Sequence, residues 1–238
     1  MEDKDLIWEE IKTEHIIQDE WIDFRRSTYR YPDGKVFEPY YSYSRRDYVV
    51  IVATDEEGRF LCVRQFRQGI GEVTTEFPAG GIERKDGREY AGRGLRENSS
   101  DSAMRELRED PSDSAAIKSR TQSSNDDIRK LREDPLETAM RELREETGYV
   151  SDEWEHLLTI PSNATISDNY AYIYRAKNCR QAGEQELDET EYLKALRLSS
   201  GELRNLIAEG KFQQAVHVMA WLLAKDEQSA KDGQSAKD

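Results

Sequence analysis

Basic charge is what this chain is short of. It sets 35 Lys and Arg against 49 Asp and Glu, a formal net charge of −14. A protein that grips a nucleic-acid backbone needs a basic surface, so no nucleic-acid partner is expected. A small anionic substrate is not excluded, because a bound metal can bring positive charge locally. Cysteine is also scarce. Cys62 and Cys179 are too few for a disulfide framework and are expected as buried thiols in a reducing compartment. No apolar run is long enough to span a membrane, and the start of the chain carries no signal-peptide pattern. A cytoplasmic protein without a membrane partner is the expectation. Hydrophobic residues make up 36%, with a mean hydropathy of −0.91, which is low for one compact core. Part of the 238-residue chain is therefore expected to lie outside that core.

What the chain has in excess is carboxylate, and its most informative cluster lies between Leu136 and Tyr149. Leu136, Ala139, Met140 and Leu143 recur at helical spacing and predict a buried stripe. Asp134 and Pro135 suit a helix start, and Gly148 sits where a left-handed residue stops one. Glu142 and Glu146 are four residues apart with Glu145 beside them, so their carboxylates crowd about one turn. In a chain with 35% charged residues such a helix is commonly a solvated face. Like charges at this spacing repel, however, unless a cation lies between them. Hard oxygens converging from a rigid helix suit Mg²⁺ or Mn²⁺.

The run Arg141-Glu142-Leu143-Arg144-Glu145-Glu146-Thr147-Gly148-Tyr149 resembles the second half of the Nudix box. Glu133, eight positions before Arg141, falls where that box carries its first glutamate. Upstream, Glu76-Phe77-Pro78-Ala79-Gly80-Gly81-Ile82-Glu83 resembles the strand and loop that enter the box, with Gly80 as the box glycine. The spacing then departs from the family pattern. The expected glutamate position holds Asp86, and the matching Glu133 arrives 47 residues later. An insertion of roughly 85–131 therefore splits the box. It contains repeats: Ala103 to Glu109 copies Ala139 to Glu145, and Leu95-Arg96-Glu97 copies Leu131-Arg132-Glu133. The copied helix lacks the Glu-Thr-Gly ending and runs into Asp110-Pro111, so no catalysis is expected from it. The segment's Ser- and charge-rich composition predicts flexibility.

Taken in order, residues 1–46 alternate in strand fashion around a turn at Pro32-Asp33-Gly34 and predict a small antiparallel sheet. The tyrosines at 40, 41 and 43 suit core packing or an interface. Tyr48 to Ala53 reads as a buried strand, Phe60 to Val63 as the next, and Arg64-Gln65-Phe66-Arg67 follows. Strands are expected again at 154–160, 170–174 and 192–198. Ser199 to Glu202 opens a helix with a capping box, and 212–224 forms the last helix. The expected division is an N-terminal sheet at 1–46, a main domain at 47–225 interrupted at 85–131, and a disordered tail at 226–238.

The resemblance, closest to the ADP-ribose and ADP-sugar pyrophosphatase branch of the family, implies an α/β/α sandwich with a mixed sheet. It implies metal-dependent hydrolysis of a nucleoside diphosphate derivative, with ADP-ribose as the expected nucleotide-sugar substrate. Mg²⁺ or Mn²⁺ would be held by Glu142, Glu146 and the Ala79 carbonyl, with Glu145 in support. Arg67 and Gly80 would meet the substrate, and Glu189 in the acidic stretch 183–191 would activate water. Glu133, Arg141 and Gly148 would be structural, Arg141 pairing with Glu133. The N-terminal sheet would help build a homodimer. Two other classes fit the same sequence: a Nudix-fold binding module weakened by its split box, and an interaction protein acting through its charged helical repeats.

Overall fold

The structure, a computed structural model, describes residues 3–85, 132–189 and 191–235. Apart from Lys85, the predicted insertion lies outside these residues. Two compact units are present. One comprises residues 1–47, 83–133 and 161–169; the other comprises 48–82, 134–160 and 170–238.

The first unit is built on an antiparallel sheet of β1 (Glu9–Gln18), β2 (Asp23–Arg30) and β3 (Val36–Ser44). Three strands form no closed core, and β1 is exposed along almost its whole length. Aromatic packing replaces a core in part. Trp8 meets Tyr29, Tyr31 and Tyr40 edge-on with centroids 4.5–6.1 Å apart, and Phe24 stacks on Tyr41 at 5.6 Å. Beneath this, the buried Asp23 accepts from Arg25 and pairs with His15, while Arg25 also donates to Ser44. Within the same unit Glu133 N donates to Glu83 O at 2.9 Å, and Arg84 bridges Arg132. The two ends of the insertion are thus neighbours.

The second unit is organised around β4 (Tyr48–Asp55), whose run Val49-Val50-Ile51-Val52-Ala53 is buried on both faces. An uninterrupted apolar strand is what a sheet covered on both sides requires. Around it lie β5 (Phe60–Arg67), β6 (Glu72–Glu76), β7 (Ala79–Gly81), β8 (Tyr149–Val150), β9 (Glu153–Pro161), β10 (Tyr170–Gln181) and β11 (Leu193–Leu198). The order β11-β5-β4-β10-β8 forms the spine, with β6 on β5, β7 on β4 and β9 on β10. Only β10 and β4 run parallel among the described pairings, so the sheet is mixed.

Alternate residues of β4 serve opposite layers. Val49, Ile51 and Ala53 pack with Ala139 and Leu143 of α1 (Pro135–Thr147). Val50 and Val52 pack with Leu203 of α2 (Ser200–Ala208) and with Ala220, Trp221 and Ala224 of α3 (Ala215–Ser235). The result is the α/β/α sandwich. Ser199 and Glu202 form the expected capping box of α2. The backbone of α3 continues to Ser235, past residue 225 where a tail was expected. Among the described residues no helix is long and apolar enough to cross a membrane.

Candidate active site

The site assembles where α1 lies against the corner between β6 and β7. Asp134 begins α1 by accepting from the backbone N–H groups of Leu136 and Glu137, with Pro135 in the first turn. Gly148 ends it with φ of 75°, its N–H donating to Arg144 O at 2.7 Å. A side chain there would stand 2.4 Å from Gly183 O, so glycine is required by space as well as by backbone angle.

The helix is turned differently from the simple amphipathic reading. Met140, expected in the buried stripe, is 42% exposed. The inward face instead carries Thr138, Ala139, Glu142, Leu143, Glu146 and Thr147. Glu142 and Glu146 follow Ala139 at three and seven residues, the same helical stripe, so the two acids share the apolar side. They are 5% and 2% exposed. Glu146 accepts from Ala79 N at 2.9 Å, which ties the helix to β7. Glu142 lies against Gly80. A Cβ built there would stand 1.9 Å from its Cδ and Oε1. Gly80, expected at the substrate, is placed here as the residue whose missing side chain makes room for a carboxylate.

Glu191 completes the group: one carboxylate oxygen each from Glu142, Glu146 and Glu191 lies within 4.8 Å of the others. Glu189 is exposed and stands outside this cluster. The sequence placed an acid of the 183–191 stretch at the site, but four glutamates compete there and only chain closure selects among them. Glu145 lies to the side, accepting from Arg141 at 2.8 Å, and Arg141 also approaches Glu142 at 3.0 Å. The backbone of the acidic loop is held to α1 through Glu186 N on Glu145 O and Gln185 Nε2 on Glu146 O.

Burial pushes Glu142 up to about 7, Arg141 opposing and the charges of Glu191 and Glu145 adding to the rise. Burial likewise raises Glu146 well above the ordinary carboxylate range, against the Ala79 N–H and with the charges of Glu142 and Glu191. Two acids driven toward protonation by burial, with further carboxylates beside them, lack positive charge. An all-oxygen set of this kind fits a hard divalent cation.

Arg67 sits at the edge of the same region, close enough for its charge to oppose the rise of Glu146. Its Nε and Nη2 donate to Glu76 at 2.9 and 2.5 Å. Burial raises Glu76, but the Arg67 and Thr74 hydrogen bonds outweigh it and hold the carboxyl below its usual range. The next residue, Phe77, donates its N–H to Nδ1 of His217 at 3.1 Å. Burial pulls that histidine down to about 4, so its ring is neutral with the proton on Nε2. Neither Glu76 nor His217 was singled out from the sequence as a site residue. Glu76 stands in the Glu-Phe-Pro-Ala-Gly run, a signal that was present, whereas His217 lies 140 residues from its partner and carries no local signature.

Comparison with known proteins bears on the fold and the family resemblance. Residues 130–222 match the NUDIX domain. The ADP-ribose pyrophosphatase of Bacillus subtilis (strain 168) is 21% identical over 211 residues, covering 86% of this chain and 85% of that protein. A solved structure described as an ADP compounds hydrolase superposes with a TM-score of 0.66 at 16% identity, covering 95% of this chain and 97% of the other. The fold is therefore the one expected.

Proposed function

We propose that the chain is a Nudix hydrolase that cleaves the diphosphate bond of a nucleoside diphosphate derivative, with ADP-ribose hydrolysed to AMP and ribose 5-phosphate; the NUDIX match over residues 130–222 supports this. The observation that carries this reading is the convergence of Glu142, Glu146 and Glu191 beside Gly80. The names of the Bacillus subtilis relative and of the structural neighbour support the choice of an ADP derivative. Buried acids converging within 4.8 Å favour a metal-dependent enzyme over a weakened binding module or an interaction protein.

Glu142, Glu146 and the Ala79 carbonyl are the groups that would hold Mg²⁺ or Mn²⁺, with Glu191 and Glu145 in support. When bound, the cation neutralises the diphosphate and lowers the pKa of a water. The remaining work falls to the chain. Arg67 offers Nη1 to a phosphate oxygen, and a planar, permanent cation suits a diphosphate. Glu191, half-buried and next to both inner acids, takes the proton of the attacking water, the role expected of Glu189. The water oxygen bonds to one phosphorus, the bridging P–O bond breaks, and the second phosphate leaves with the electron pair. Arg141 holds Glu145 and Glu142 in place from the helix surface.

The same reading includes a homodimer seated on the three-stranded sheet, where Ile11, Ile16, Ile17, Trp21, Val36 and Phe37 are each at least 40% exposed. Such residues are costly to leave in water and suit a self-complementary partner.

The proposal is tested with Glu146→Gln, which keeps shape and removes charge. Turnover of ADP-ribose with Mg²⁺ should fall by about a hundredfold, the usual cost of losing one major electrostatic contributor. Unchanged turnover contradicts the assignment.

A further inference from the structure

Glu76 takes no part in the steps above, yet its side chain is fully buried. It stands opposite Val63 across the β5–β6 ladder, whereas Arg67 stands opposite Glu72. Arg67 is thus four residues further along its strand, about 13 Å at roughly 3.3 Å per residue. Its guanidinium has to lie back along the sheet to meet the carboxylate, and it does so with two nitrogens. Thr74, opposite Gln65 and between the two, donates its hydroxyl to the same carboxylate. Among the described residues Nη1 of Arg67 makes no hydrogen bond, and the side chain is 36% exposed.

A plain staple between β5 and β6 is a poor account of this arrangement. The two strands already share five register pairs from Val63–Glu76 to Arg67–Glu72. The ladder already joins the strands at the very residues concerned, so a further link between them adds little. The electrostatic neighbourhood gives a better one. Glu146 feels the charge of Arg67. A permanent cation on a long side chain, left unrestrained there, has a nearby destination in the paired acids of Glu142 and Glu146. It would then occupy the carboxylates that hold the metal and leave the diphosphate without its arginine.

We propose that Glu76 is a positioning residue that pins Arg67 by Nε and Nη2, keeping its guanidinium off Glu142 and Glu146 and leaving Nη1 for a diphosphate oxygen. This rests on the assignment of a metal-dependent diphosphate site. Thr74 supports the same grip from the side of the carboxylate that faces away from Nη2.

The test is a cycle of Glu76→Gln, Arg67→Ala and the double variant, read by binding and not by turnover. The affinity for ADP with Mg²⁺ is measured by calorimetry, and the affinity for Mn²⁺ alone by electron paramagnetic resonance. Glu76→Gln should weaken ADP by about tenfold, and the double variant should bind no worse than Arg67→Ala alone. Mn²⁺ should bind severalfold more weakly to Glu76→Gln and recover in the double variant, because the released arginine is then gone. A staple would produce no such recovery. Wild-type ADP affinity in Glu76→Gln, additive losses, or an Mn²⁺ defect that persists in the double variant would each overturn the proposal. Should Glu76→Gln not fold, Thr74→Val carries the cycle: about a threefold loss of ADP affinity, absent in the Arg67→Ala background, supports it, and no loss overturns it. A wild type that binds ADP and Mn²⁺ but does not hydrolyse ADP-ribose contradicts the hydrolase reading alone. One that binds neither removes both.

Discussion

Gly80→Ala is the smallest change that should disable the site while leaving the fold. The backbone of Gly80 is not in the left-handed region, so alanine meets no conformational penalty there. The added carbon would fall 1.9 Å from Cδ and Oε1 of Glu142 and 2.3 Å from Oε2. Ordinary contact lies near 3.5 Å, so the carboxylate must retreat by roughly 1.5 Å. It can do so, because the clash involves only the far end of a side chain that can turn. Overpacking of this kind costs about 1–3 kcal/mol. For a domain of this size that is a fall in Tm of roughly 2–12 °C. The chemical cost is larger. A displacement of this scale at a catalytic group typically costs about a hundredfold in rate. Thermal unfolding, Mn²⁺ titration and kcat for ADP-ribose together read the outcome. A variant that melts slightly lower, binds Mn²⁺ far more weakly and loses about two orders of magnitude in kcat is expected. Wild-type Mn²⁺ affinity in a folded variant would refute the placement of Glu142 as a metal ligand against this glycine.

Metal affinity should also depend on pH. Burial pushes Glu142 up to about 7 in the folded protein, against an ordinary value of 4.5 in the unfolded chain. Between those values the folded state keeps a proton that the unfolded chain has lost. The associated stability is therefore fully present below 4.5 and disappears as pH rises through 7. A cation must displace that proton, and one on Glu146 as well, so Mn²⁺ affinity should climb by at least about tenfold per pH unit below 7. An affinity that does not change between pH 5.5 and 7 counts against the buried acids as ligands. For the three-stranded sheet, light scattering at micromolar concentration should give twice the 27.6 kDa chain mass. Trp21→Glu should lower it toward the monomer, and a monomeric wild type rejects the dimer.

Much of the scaffold could be read directly. Asp134-Pro135 and Gly148 bound α1 because capping is local chemistry, settled by a few neighbouring residues. The Ser199–Glu202 box works the same way. The apolar run of β4 pointed to a strand covered on both faces, and α1 on one side with α2 and α3 on the other bear that out. The phase of α1 was harder. Periodicity alone put Met140 inside and set the glutamates on the opposite face, since a carboxylate next to a core is unfavourable without a partner. The partners are Ala79 N–H for Glu146 and the space left by Gly80 for Glu142, both supplied from β7 more than sixty residues upstream. Glu191 and not Glu189 stands beside the inner acids for a related reason: acidity identifies the loop, while its fixing to the end of α1 through Gln185 and Glu186 decides which acid arrives. Arg67 was legible as a phosphate-binding candidate, but the buried Glu76 that holds it was not, because a glutamate in a strand looks like a solvent-facing residue until its arginine is found.

The central claim is that the Glu142, Glu146 and Glu191 cluster supports metal-dependent cleavage of a diphosphate bond. Chromatographic analysis of ADP-ribose incubated with the purified wild-type protein tests it most directly, with Mg²⁺ present and again in excess chelator. The account predicts equal amounts of AMP and ribose 5-phosphate with Mg²⁺ and no conversion in chelator. Intact ADP-ribose in both samples, or conversion that survives the chelator, would contradict it.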